Sequence, residues 1–189
     1  MAITDIRQRL FEAAERLLVR EGAAGLTNRA IAEEAGCSKG VLYNHFADLD
    51  DFAAQLVLNL FAEAAESVRE LPGRVGRDTV AGNVGAVALV LLRPQAPAVA
   101  ALALTRATVS SRVRQAMADG APGLPTVEAA LATYLEAEKE RGRVPEVADS
   151  QALALAVTGT AHHLIMTAWD GAPDPRARIT QLVGALFPQ

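Results

Sequence analysis

The stretch from Thr27 to Phe46, TNRAIAEEAGCSKGVLYNHF, constrains the fold more than any other part of the chain. Thr27 and Ser38 are hydroxyl residues of the kind that cap helix amino termini by accepting a backbone N–H. Gly36 stands between them, where a helix must end and the chain must turn. Ile31, Ala32 and Ala35 recur on one side of the first helical segment, and Leu42 and Phe46 on one side of the second. Lys39, Gly40, Tyr43, Asn44 and His45 are left for the other side of the second segment. The block therefore folds as two short helices joined by a tight turn. The second helix packs on the first through its apolar residues and turns its polar face outward.

The surrounding sequence is helical as well. Ile6, Leu10, Ala14, Leu17 and Leu18 recur at helical spacing ahead of the block, and Gly22 ends that helix. Phe52, Leu56, Leu60 and Ala64 line one side of a longer helix running from Leu49 to about Leu71. Beyond Leu71-Pro72-Gly73 the pattern predicts helices near 78–92, 96–106, 108–118, 126–141, 149–170 and 175–187, with proline and glycine at the joints. The chain is 51% hydrophobic and only 4% aromatic, so its apolar content is mostly Ala, Leu and Val, without the aromatic and β-branched runs that strands use. The expected fold is all-α, with about nine helices. A three-helix helix-turn-helix domain is expected over residues 1–48 and a larger helical domain over 49–189.

A net charge of −4 argues against a general nucleic-acid coat but not against a sequence-specific binder with its basic groups on one face. Cys37 is the single cysteine, so no disulfide forms within the chain, and a packing thiol in a reducing cytosol is expected. The start, Met1-Ala2-Ile3-Thr4-Asp5, lacks the basic-then-apolar pattern of a secretory signal. The longest apolar run, Val80 to Leu92, is interrupted by Asn83 and is shorter than the roughly 18–20 residues of a membrane span. A cytoplasmic protein with no membrane partner is expected.

A helix that enters the major groove of DNA needs a polar face whose amino-terminal end comes close to bases and phosphates, and an apolar back that seats it. The segment Ser38–Phe46 has both. Gly40 removes a side chain where the helix would come closest to the duplex, and capped helix starts offer backbone N–H groups to phosphate. The order Gly-x-Ser-x-Gly-x-Leu-Tyr-x-His-Phe from Gly36 to Phe46, within the block from Leu26 to Phe46, resembles the TetR family of transcriptional regulators. The resemblance covers about residues 6 to 60. It implies that Thr27, Tyr43 and His45 bind phosphates, and that Asn28, Arg29, Lys39, Gly40 and Asn44 lie near base edges or adjoining phosphates, with Ser38 at the helix start. Asn44 is suited to pair with adenine and Lys39 to donate to guanine. Arg7 is expected to add a phosphate contact from the first helix. Residues 1–50 nevertheless carry six basic against eight acidic side chains, and Asp48-Leu49-Asp50-Asp51 opens the fourth helix where many relatives place a lysine. Fewer phosphate contacts and a shallower salt dependence are expected.

Beyond residue 60 the resemblance is one of architecture, implying a helical domain that dimerises and binds a small molecule. Ile179, Leu182, Val183, Leu186 and Phe187 form an apolar stripe on the last helix. The helix before it is apolar nearly all round, with small residues at Ala152, Ala156 and Gly159 that would let another helix approach closely. These two helices are expected to form a homodimer seam, with Ile179, Leu182, Val183 and Leu186 in it. Closing the monomer's own core is the alternative. Asn83, Arg106, Tyr134, His162, His163, Met166 and Trp169 are candidates to line a pocket for a small, largely apolar effector, with one of the two adjacent histidines facing the pocket and the other the seam.

No metal site is expected, since His162 and His163 lack the i, i+4 spacing of helical ligand pairs. No catalytic constellation, phosphate-cradling loop or dinucleotide fingerprint appears, so neither enzymatic activity nor a cofactor is expected. The leading function is a homodimeric repressor on a palindromic double-stranded DNA operator, released by a small molecule. An activator or a regulator without a small ligand is the second reading. A helical enzyme or carrier is the third, opposed by the density of the 27–46 block.

Overall fold

The computed structural model describes residues 3–169 and 171–188. Within them the chain is built from helices alone: α1 (Ile3–Glu21), a 3-10 turn (Ala23–Gly25), α2 (Asn28–Glu34), α3 (Lys39–His45), α4 (Leu49–Val68), α5 (Leu71–Arg74), α6 (Val80–Leu91), α7 (Ala96–Thr105), α8 (Ala107–Ala118), α9 (Leu124–Glu140), α10 (Ser150–Met166) and α11 (Pro175–Leu186). The all-α expectation holds. The described residues form eleven α-helices against about nine expected; one that the sequence reading did not place is the single turn α5, where Pro72 sits in the first turn and starts a helix rather than merely breaking one. The tenth helix stops at Met166 rather than near residue 170, and Asp170 itself lies outside the described residues.

The helices gather into two compact units. The first joins residues 1–59 to residues 94–121, so α7 and α8 pack with the amino-terminal helices. Its core is Leu10, Leu17, Ile31, Leu42, Phe52 and Leu56, all at most 2% exposed. Phe11, Phe46 and Phe52 form a ring cluster with centroids 4.8–5.8 Å apart, which ties the end of α3 to α1 and α4. Burying each such side chain contributes about 1.5–3 kcal/mol, enough to make this small unit a rigid mount for α3. The α7 helix packs on α1 and the 3-10 turn. There the buried Gln95 donates to Glu15 at 2.7 Å.

The second unit comprises residues 60–93 and 122–189. Here α9 lies along α10, and α11 packs against both α6 and α10. Val84, Ala88, Leu131, Leu135, Ala154, Val157, Ala161 and Ile179 form its core. The α11 stripe is therefore divided. Ile179 is 0% and Val183 3% exposed, both spent on the chain's own core, while Leu182 and Leu186 are only half-buried. Ile179 and Val183 are corrected from seam to core, because α6 already covers the face they share. The outer face of α10 has no cover among the described residues: Ala152, Leu155, Gly159, His162, His163 and Met166 are all exposed.

Candidate nucleic-acid interface

The turn between α2 and α3 is fixed by local chemistry. Thr27 caps α2, its hydroxyl accepting the N–H of Ala30 at 3.1 Å. At the other end Gly36 takes φ +63°, a left-handed conformation that L side chains resist. It allows the Cys37 N–H to reach the Ala32 carbonyl at 2.9 Å and the Gly36 N–H to reach Glu33 at 3.2 Å, a Schellman closure. Ser38 stands at the cap position of α3 with extended backbone, but its hydroxyl makes no capping bond, contrary to the sequence reading. The α3 start is held instead by the Val41 N–H donating to the Ser38 carbonyl at 3.0 Å. The Ser38 hydroxyl is left exposed.

Leu42 and Phe46, 2% and 4% exposed, seat α3 from behind. On the opposite side Lys39, Gly40, Tyr43 and Asn44 are exposed, as are Thr27 and Arg29, while Asn28 and His45 are half-buried. Tyr43, at 62% exposure, is held in place by Asn28, whose amide donates to the phenolic oxygen at 2.9 Å. The phenol accepts that bond, so its own hydrogen remains free for an anion. Arg29 pairs with Glu33 at 2.7 Å, one exposed turn along α2. A Cβ built on Gly40 would meet nothing nearer than the Ser38 Oγ at 3.9 Å. The chain itself thus has room for a side chain there.

Arg7 is placed differently from the others. Its guanidinium donates to the His45 carbonyl at 3.2 Å and to the Gln55 amide oxygen, and lies 4.6 Å above the Phe46 ring. It ties α1 to the end of α3 and to α4. Sequence reasoning missed Arg112 and assigned Arg106 to an effector pocket rather than to this corner. Arg112 on α8 grips Asp48 with both terminal nitrogens, at 2.6 and 2.9 Å. Arg106, between α7 and α8, reaches Asp50 at 3.0 Å. The Arg112 guanidinium, helped by the backbone N–H of Asp51, holds the Asp48 carboxyl at about 2. The acidic opening of α4 was the available signal, since so many carboxylates close together favour nearby cations. Residues 1–59 carry six basic and nine acidic side chains, and residues 94–121 add three arginines against one aspartate.

The residues proposed for an effector pocket are not gathered in one place. Asn83 and Tyr134 meet inside the second unit, where the Asn83 amide donates to the Tyr134 hydroxyl at 2.9 Å and to the Arg77 carbonyl at 3.0 Å. Burial foremost, and then Glu138, pushes the Tyr134 phenol up to about 12. Glu138 is 0% exposed, accepts the Gly76 N–H at 3.1 Å and pairs with Arg143 at 3.1 Å. Asn83 also lines a groove of about 560 Å³ with Ser67, Leu71, Val87 and Val90, rimmed by charged side chains. Arg106 belongs to the first unit, and His162, His163, Met166 and Trp169 are exposed, so none of them joins Asn83 there. The physical reason is helix phase: Ala154, Val157, Ala161 and Leu164 take the inner face of α10, which leaves both histidines outside.

Residues 10–56 match the family described as bacterial regulatory proteins, tetR family. The transcriptional repressor AcnR of Corynebacterium glutamicum is 34% identical over 67 residues, covering 35% of this chain and 36% of that protein. The chain thus spans about a third of the length of the curated relatives it matches. A TetR-family regulator from Mesorhizobium loti has the same fold, with a TM-score of 0.71 at 18% identity, covering 97% of this chain and 94% of the other. So does the regulator FadR from Bacillus subtilis, crystallised with stearoyl-CoA, with a TM-score of 0.64 at 17% identity over 96% of this chain and 97% of the other. These proteins are regulators rather than enzymes. The amino-terminal helix-turn-helix of this chain thus matches the tetR family of bacterial regulatory proteins over residues 10–56, and it is carried on an all-helical fold shared with TetR-family regulators.

Proposed function

We propose that the protein is a homodimeric repressor that grips a roughly palindromic double-stranded DNA operator and is released from it by a small, largely apolar effector. The observation that carries the reading is α3 itself: a helix seated on buried Leu42 and Phe46 that holds Lys39, Tyr43 and Asn44 out in solvent. Each subunit lays α3 in a major groove, with half-sites about one turn or more apart. Thr27, Tyr43 and His45 hold phosphates. Lys39 and Asn44 read base edges, with Asn28, Arg29, Ser38 and Gly40 beside them. Residues 1–48 form the reading head, and 49–189 carry dimerisation and effector binding in the cytoplasm.

The uncovered outer face of α10, with Leu155 57% and Met166 39% exposed among small residues, supports a two-fold helical seam there. The groove lined by Asn83, Leu71, Val87 and Val90 supports an effector with an apolar body and a hydrogen-bonding group. That AcnR is named a repressor and that FadR was crystallised with an acyl-CoA agree with this reading. Effector binding changes operator affinity only through unequal affinity for two conformations, a coupling of about 1–3 kcal/mol. The α4 helix, which starts directly after the reading head, is the element proposed to transmit it.

Selection of genomic fragments by the purified protein at low salt tests this. A palindromic motif is expected, and the absence of any enriched motif would overturn it. Sedimentation at micromolar concentration is expected to give a dimer, and a clean 20 kDa species would remove the seam.

A further inference from the structure

The corner between α3 and α4 carries the wrong charge for DNA. Asp48 lies three residues past His45, hence no more than about 11 Å away along the chain, comparable to the screening length at physiological salt. A bare carboxylate there would repel any phosphate held by Tyr43 and His45. Yet Asp48 cannot simply be dispensed with, because its Oδ1 accepts the Asp51 N–H at 2.6 Å and caps α4. The cation that answers it comes from far along the sequence. Arg112 is mounted on α8, whose neighbouring Val109 and Val113 are buried, and it meets both oxygens of Asp48. Arg106 meets Asp50 from the same segment. A bidentate arginine fixes the carboxylate's direction as well as cancelling its charge.

We propose that Arg112 is a positioning residue for DNA binding, which neutralises Asp48 beside the phosphate track and pins the capped start of α4. The proposal rests on the reading of α3 as the DNA-contacting helix. It accounts for how a reading head with more acidic than basic side chains can approach a polyanion: the carboxylate nearest the phosphate track is neutralised locally by an arginine from α8. Arg112 acts through Asp48 and does not itself grip phosphate.

The test uses the full chain and a labelled duplex carrying the palindrome recovered by selection, with affinity measured across a potassium chloride series. Arg112→Ala is expected to weaken binding about twofold or more at low salt, the effect in water of one uncompensated charge within about 11 Å, with the loss shrinking as salt rises. Asp48→Asn keeps a capping oxygen and removes the charge, so it binds at least as tightly as the wild type. The double variant Asp48→Asn/Arg112→Ala is expected to recover wild-type affinity, which a merely structural role for Arg112 would not allow. Circular dichroism melting of each variant reports folding, and Asp48→Asn remains decisive should Arg112→Ala unfold. Unchanged binding by Arg112→Ala, weakened binding by Asp48→Asn, or a double variant as weak as Arg112→Ala would each overturn the proposal. Failure of the wild type to prefer any duplex would instead defeat the DNA reading on which it rests.

Discussion

The two compact units use their polar side chains in opposite ways. In the first, Lys39, Tyr43 and Asn44 stand exposed on a helix held rigid from behind. In the second, Asn83, Tyr134 and Glu138 are buried and spend their hydrogen bonds on one another and on the loop from Gly76 to Asp78. A polar group on a rigid exposed face is available to a macromolecule. A polar group inside, with its partners satisfied, is part of the fold. Substitutions should therefore separate cleanly, costing DNA affinity in one unit and stability in the other.

The largest stability effect is expected from Arg143→Ala, which leaves the buried Glu138 without its counter-charge, at a cost of about 3 kcal/mol. Urea denaturation measures it, and a loss below about 1 kcal/mol would mean that the Gly76 N–H alone satisfies the carboxylate. DNA affinity of the folded fraction should not change. Tyr43→Ala is the mirror image: about tenfold weaker DNA binding, the order of one charge-assisted hydrogen bond, at unchanged melting temperature. A drop in melting temperature without a loss of binding would blur the distinction between the units. Gly40→Ala sharpens it further. The chain has room for the added methyl, so helix stability should rise by about 0.5–1 kcal/mol while DNA binding falls. If both rise, the duplex does not come close at that position.

The smallest effect is on titration. The Tyr134 phenol is pushed up to about 12, above its unfolded value near 10, chiefly by burial. Its contribution to stability is therefore complete below pH 10 and is lost as pH rises through about 12. Absorbance titration should show one of the two tyrosines resisting ionisation to that point, a resistance that Asn83→Leu would alter.

The helix-turn-helix was legible in the sequence because what defines it is local. Thr27 with Ala30, Gly36 with Glu33, and Cys37 with Ala32 are all neighbours along the chain. Helix phase likewise revealed that Leu42 and Phe46 face inward. What escaped was long-range. Arg112 meets Asp48 across 64 residues, and Asn83 meets Tyr134 across 51, pairings that no periodicity encodes. The α11 stripe shows the same limit: an apolar face must be covered, but whether by the chain's own α6 or by a second copy depends on tertiary packing. Conversely, adjacent His162 and His163 suggested opposite faces, yet both fell outside because the inner arc of α10 was already filled by Ala161 and Leu164.

The central claim, that the exposed face of α3 reads DNA, is tested most directly by binding of Tyr43→Ala and Asn44→Ala to a panel of duplexes differing by single base pairs within the selected motif. The account predicts that Tyr43→Ala weakens every duplex alike, whereas Asn44→Ala also loses the preference at one base position. If both variants keep wild-type affinity and wild-type preference throughout the panel, α3 is not the reading helix.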